Sequence, residues 1–376
     1  MTDQALPFGT ELPGAHPGGG GARPISARPA SQHQEKPETG QSERAKREPG
    51  RRERAETGTA PSGPARALQL AGSTVRVGTC SWTDPTLVRG TAWYPKRTMS
   101  AAERLAYYAS QFPVVEADST YYRPPSPELV RSWAEHSPEG FCFDTKAYGL
   151  LTGHGVDPAT LWSDIRGTLD PEAAGKRRVY GHHLPPSSLE EAWSRFVASL
   201  APLSESGRLG GVLFQYPPWF TPKRANREEI GRLPERLGGL TACVELRSPM
   251  WLEEGELGRT LALLRDLGLA FVVVDAPRSS GLPCVVEATS EQLAVVRFHG
   301  RADSTWSSRE ATAADRFRYL YSDAELEEWA PRAKRLAHLA SRVHLLMNNC
   351  YQDYGVRNAA QLAAILAADN PGGDGP

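Results

Sequence analysis

Between Val75 and Asn349 the chain alternates between two hydrophobic rhythms. Eight short apolar runs recur: VRVGTC from Val75, VVEADS from Val114, FCFDTK from Phe141, GGVLFQ from Gly210, ACVELR from Ala242, AFVVVD from Ala270, AVVRFH from Ala294 and VHLLMNN from Val343. Each is rich in β-branched and aromatic residues, and nearly all stop on a polar or charged side chain, as buried parallel strands do. Most intervening segments carry a helical stripe. Eight such units predict a (β/α)₈ barrel, a fold that gathers its functional groups at the carboxyl ends of its strands.

The helical stretches have recognisable starts. Ser100 to Phe112 opens with a cap serine and Glu103 at the capping-box position, followed by an apolar stripe through Leu105, Tyr108 and Phe112. Ser126 caps a second helix whose first residue is Pro127 and which stops before Pro138. Further amphipathic helices are predicted from Ser187, from Glu254, from Ser322, and over Val356 to Asp369. Leu150 to Pro186, interrupted by glycines and prolines, is read as a long βα-loop insertion, the kind of segment that covers or lines a site.

Residues 1–72 differ in kind. They hold one aromatic (Phe8), a run of glycines from Gly18 to Gly21, and a mixed-charge stretch from Ser42. Such a segment buries too little apolar surface to offset its ordering entropy, so a disordered tail is expected, with the barrel over 73–369 and a flexible 370–376. A mistaken upstream start codon would give the same picture. The tail lacks the apolar core of a signal peptide, and nothing later is long enough to span a bilayer. The five cysteines have no zinc or redox spacing. Free thiols in apolar strands fit a reducing, cytoplasmic setting. With a formal net charge of −1 and no basic stripe on the barrel segment, neither a nucleic-acid nor a membrane partner is expected.

Several motifs resemble one known family. GTCSWTDP (from Gly78), WYP (from Trp93), VEADSTYYRPPSPELVRSWAEHSPEGFCFDTKA (from Val115), LGGVLFQYPPWF (from Leu209), VELRSPMWL (from Val244), VRFHGR (from Val296) and NNCYQDYGVRNAAQL (from Asn348) are similar, in this order, to the YecE-like TIM-barrel family. Where that family commonly reads GTSGW, Cys80 and Ser81 stand here in place of the Ser-Gly pair. The resemblance implies the barrel fold and brings no reaction with it, so chemistry has to be read from the residues.

Side chains two apart on a strand share a face. Glu245 and Arg247 therefore project together, as do Arg297, His299 and Arg301, with Gly300 expected to break the strand before Arg301. Glu116, Lys146, Gln215, Asp275, Asn348 and Asn349 close other strands. Glu116, Glu245 and His299 are the candidate acid–base residues. Trp82, Tyr121, Lys146, Gln215, Arg247, Asp275, Arg301, Asn348 and Asn349 are the candidate substrate-binding residues. Forked and point-charge donors suit phosphate or carboxylate, carboxylates suit hydroxyls or amines, and aromatic faces suit a sugar ring. This much charge exceeds what packing needs, and charge taken from water is costly unless it is paired or binds something.

Three readings stay open. The first is a metal-independent enzyme using acid–base chemistry on an anionic or sugar-like small molecule, with no cofactor expected. The second is a divalent-metal phosphoester hydrolase or sugar isomerase, using Glu116, Glu245, Asp275 and His299. The third is a non-catalytic, metabolite-binding barrel. Dinucleotide, P-loop, nucleophile-elbow and HExxH motifs do not occur.

Overall fold

A computed structural model describes residues 66–303 and 317–369; the expected tail up to Ala65 and the segment 370–376 lie outside the described residues. The described chain opens with a short strand, β1 (Leu68–Leu70), which turns back at Ala71 and Gly72 to pair antiparallel with β2 (Ser73–Thr79). Leu68–Leu70 lies within the stretch that the sequence pattern assigns to the tail. Leu70 is buried, which gives the strand something to hold it.

From β2 the sheet runs in sequential order through β3 (Val114–Ala117), β4 (Cys142–Lys146), β5 (Leu209–Tyr216), β6 (Ala242–Leu246), β7 (Ala270–Asp275), β8 (Ala294–Phe298) and β9 (Arg342–Met347). All these pairings are parallel, and β9 pairs back onto β2 from Arg342 beside Thr74 to Met347 beside Thr79. The closed eight-stranded barrel predicted from the apolar runs is present.

Helices take the expected places. Ser100 accepts from the Glu103 amide while Glu103 accepts from the Ser100 amide, capping Ala101–Gln111, and Ser126 caps Pro127–Glu135. Two expected helices are each divided. Pro186–Ser199 gives way to Ala201–Glu205 at Pro202, and Asp323–Glu327 to Trp329–Ala337 beside Pro331. A proline in a first turn lacks the N–H that would continue the preceding ladder. The insertion from Leu150 to Pro186 folds on itself: Val156 and Val179 pair as a bridge, and Leu161 and Ile165 are buried. Among the described residues no helix is long and apolar enough to cross a membrane.

Alternation along the strands divides the core in two. Val114, Leu213, Cys243, Val272, Val295 and Leu346 fill the barrel interior. Their outward neighbours, such as Phe143, Val244 and Phe298, pack beneath the helices. This division decides which polar side chains meet.

Candidate active site

Each inward apolar position is followed two residues later by another inward position nearer the carboxyl end of the barrel. Val114 thus sets the direction of Glu116, Leu213 that of Gln215, Cys243 that of Glu245, and Val295 that of Arg297. Arg297 and both glutamates are buried. The Arg297 guanidinium donates to both Glu116 oxygens at 2.8 Å each, and its remaining terminal nitrogen donates to Glu245 Oε2 at 2.6 Å. Glu245 Oε1 accepts from Gln215 Nε2 at 2.7 Å and from Arg247 at 2.9 Å. Gln215 Oε1 in turn accepts from Lys146 Nζ at 3.0 Å. His299 lies between Arg247, 3.0 Å from Nε2, and Asn348, 2.6 Å from Nδ1.

Glu116, Glu245 and His299 are therefore brought together, over one floor of hydrogen bonds. Two guanidiniums face two carboxylates there, so the buried charges of the floor balance. Burial pushes the Glu116 carboxyl up, opposed by Arg297. Burial also favours a neutral Glu245, but Arg297 outweighs it and holds that carboxyl well below its ordinary range. Burial and the adjacent Arg247 push His299 down to about 3, so it is a neutral imidazole at physiological pH.

Two groups at the mouth titrate nearer neutrality. Asp118, half-buried just beyond β3, is pushed up to about 7 by burial and by Glu116. Lys146, half-buried at the end of β4, is pushed down to about 8 by burial and by Arg297. Its Nζ lies 4.2 Å from the centre of the Tyr121 ring. From the long insertion, His154 stands edge-on to Tyr121, with ring centres 5.2 Å apart, and near Trp219 at 5.8 Å. Burial, then Lys146, Arg247 and Arg178, push His154 down to about 3, which marks a cluster of cationic groups around it.

Asp275, Arg301, Asn349 and Trp82 are not part of this group. On β7 the inward positions are Val272 and Val274, so Asp275 faces the helix layer. There it accepts from Trp329 Nε1 at 2.8 Å, Tyr321 Oη at 3.1 Å and Arg301 at 2.7 and 2.9 Å. Gly300, at φ +89°, turns the chain so that Arg301 leaves the inward register and reaches Asp275. Asn349 donates to the Tyr319 carbonyl and to Asn358, on the outward side of β9. Trp82 packs edge-on against Trp133 and Phe143 in the core. Of the four groups weighed as a metal set, Asp275 faces outward, and Arg297 sits between Glu116 and Glu245.

Three participants were missed or misjudged from sequence. Arg297, which strand parity only groups with His299, is the centre of the floor. Asp118 shares the parity of Glu116, a signal the sequence contained. His154 carried no local signal beyond its place in a long insertion. Deeper in the barrel lies a second buried pair, with His344 Nδ1 2.8 Å from Asp144 Oδ2 and Cys142 Sγ 3.9 Å from His344 Nε2.

Fold and mouth together define a (β/α)₈-barrel protein whose polar residues converge at the carboxyl ends of its strands. The chain belongs to the DUF72 family, described as proteins of unknown function, whose model matches residues 76–374. It is 29% identical over 303 residues to the UPF0759 protein YunF of Bacillus subtilis, covering 79% of this chain and 96% of that one. The UPF0759 protein YecE of Escherichia coli K12 is 26% identical over 186 residues, 49% of this chain and 56% of its own. Two solved DUF72 structures are similar in fold. That from Thermotoga maritima has 28% identity and a TM-score of 0.60, covering 78% of this chain and 98% of its own. That from Enterococcus faecalis has 25% identity and a TM-score of 0.63, covering 78% and 95%.

Proposed function

We propose that the barrel mouth is the active site of a metal-independent enzyme doing acid–base chemistry on an anionic or sugar-like small molecule. The observation that carries this reading is the pair Asp118 and Lys146, set above a floor whose buried charges already balance. Proton transfer is most efficient when the group titrates near the working pH, as these two do. Glu116, Glu245 and His299 are committed to Arg297, Arg247 and Asn348, so in this reading they position rather than transfer. Arg297 fixes Glu245, Glu245 holds Gln215, and Gln215 holds the Lys146 amine. Lys146, Arg247 and Arg178 around His154 favour a ligand carrying phosphate or carboxylate, and the Tyr121 ring offers a face for a sugar.

The test is turnover of pooled sugar phosphates, sugar acids and small carboxylates by chelator-treated protein, followed by NMR. Asp118→Asn should keep the fold and lower the rate by about 10² to 10⁴, the usual contribution of a positioned acid or base. Turnover that needs added metal, or that survives Asp118→Asn unchanged, refutes the proposal. Saturable binding with no conversion would make the barrel a metabolite sensor instead.

A further inference from the structure

We infer that Lys146 is a nucleophile, its amine condensing with the aldehyde or ketone carbon of a small polar substrate to form an imine at the barrel mouth. This deepens the acid–base reading and rests on the same mouth being catalytic.

The geometry singles out this amine. A lysine near carboxylates ordinarily pairs with one of them, but here Glu116 and Glu245 beneath it are already held, and Asp118, the third carboxylate whose charge acts on it, makes no ion pair with it. Both Glu116 oxygens accept from Arg297, and Glu245 accepts from Arg297, Gln215 and Arg247. Among the described residues no carboxylate forms an ion pair with Lys146; its hydrogen-bond acceptor is the neutral Gln215 amide oxygen, and its cationic face rests on Tyr121. Gln215 cannot rotate freely, because its own amide nitrogen is committed to Glu245 at 2.7 Å. The tether therefore suits either protonation state of the amine: a neutral amine still donates one N–H to Gln215 and retains its lone pair. A carboxylate partner would instead favour the ammonium, which has none.

Burial and the fixed charge of Arg297 add to this. With Lys146 pushed down to about 8, roughly a tenth of it is neutral at pH 7, against roughly one part in three thousand for an ordinary lysine. The neutral amine is the reactive form.

The chemistry balances with groups at the mouth. The lone pair of Nζ forms the C–N bond while the carbonyl π pair moves to oxygen, which takes a proton from the Asp118 acid. The nitrogen gives up a proton, which returns Asp118 to its acid form. The restored Asp118 acid then protonates the new hydroxyl, which leaves as water while the nitrogen lone pair forms the C=N bond. Carbonyl compound, amine and the Asp118 acid become protonated imine, water and the Asp118 carboxylate, with no oxidant or cofactor. The resulting cation draws electrons from the neighbouring carbon, so proton abstraction or bond cleavage beside the carbonyl is the reaction class that follows. A substrate carrying both a carbonyl and an anionic group would use the Arg247 and Arg178 side of the mouth as well.

The experiment uses the full chain with cyanoborohydride and two probes, glyoxylate as an acidic aldehyde and dihydroxyacetone as a neutral ketone, with peptide mass spectrometry of each lysine. With at least one probe, Lys146 should be reductively labelled up to about three hundredfold faster at pH 7 than the exposed Lys176 and Lys223, the ratio of the two neutral fractions. Its labelling should rise with a midpoint near pH 8, whereas exposed lysines keep gaining reactivity beyond pH 10. Asp118→Asn should slow the labelling of Lys146 and leave Lys176 untouched. Equal labelling of Lys146 and Lys176 by both probes overturns the inference. Turnover that depends on Asp118 without Lys146 labelling refutes the imine and leaves the acid–base reading standing. Labelling of Lys146 that is unchanged in Asp118→Asn keeps the imine, removes Asp118 as its proton donor and refutes the acid–base reading.

Discussion

Replacing Arg297 with Met tests the floor directly. The side chain is unbranched and of similar reach, so the chief change is electrostatic. Glu116 loses both guanidinium bonds and keeps only the Cys80 thiol, 3.4 Å from Oε2. Glu245 loses one bond but keeps Gln215 and Arg247, so it can stay ionised. A fully buried carboxylate without a cation escapes by taking up a proton. Moving a carboxyl that ordinarily titrates at 4.5 into its acid form at pH 7 costs about 3.4 kcal/mol, at about 1.4 kcal/mol per pH unit. Because burial already lifts the native Glu116 above that value, the expected loss of stability at pH 7 is up to about 3 kcal/mol, at the lower end of the range for removing one partner of a buried pair. In the variant the Glu116 pKa is raised further than in the native protein, so above the native value the variant's folded state binds more protons and loses stability faster as pH rises. Urea titrations of both proteins at pH 5, 6 and 7 should show the gap widening by about 1.4 kcal/mol per unit. A gap below about 1 kcal/mol at pH 7, or one independent of pH, would refute the claim that Arg297 neutralises Glu116. Adding Glu116→Gln to the variant should remove most of the pH dependence.

Other outcomes follow from the same geometry. If Asp118 and Lys146 act as a pair, the rate profile should be bell-shaped with apparent limbs near 7 and 8, belonging to the pair rather than to either residue; a profile flat from pH 6 to 9 excludes them. Burial lowers His344, but Asp144 outweighs it and lifts the imidazole to about 9. A raised histidine stabilises fully below its ordinary 6.5 and loses that contribution as pH rises through 9, so Asp144→Asn should cost about 3 kcal/mol at pH 6 and less at pH 10 by denaturant titration. A β-carbon at Gly78 would overlap the Val114 carbonyl oxygen of the neighbouring strand, and backbone cannot swing aside. Gly78→Ala should destabilise by about 1 to 3 kcal/mol or more, and an unchanged melting temperature would contradict the close approach of β2 and β3.

Much of the fold is written locally. Apolar runs such as AFVVVD specify strands through residue type, and Ser100 with Glu103 starts a helix through bonds made three residues apart. Such signals act within a few positions, so they survive in a linear reading. Parity carried further than it was taken: followed back through Val274 and Val272 it turns Asp275 outward, and followed on from Glu116 it reaches Asp118. The glycine after His299 marked the place where Arg301 leaves the strand, though not where it goes.

The site itself was decided by closure of the barrel. Arg297 meets Glu116 across 181 positions and Glu245 across 52, and no periodicity links residues so far apart. Whether an arginine on an apolar strand binds a ligand or neutralises two glutamates depends on which strand ends face each other across the interior. The same holds for Lys146. The sequence places a lysine at the end of a strand, but its pKa is set by burial and by the fixed charge of Arg297, both of which exist only once the eight strands have closed.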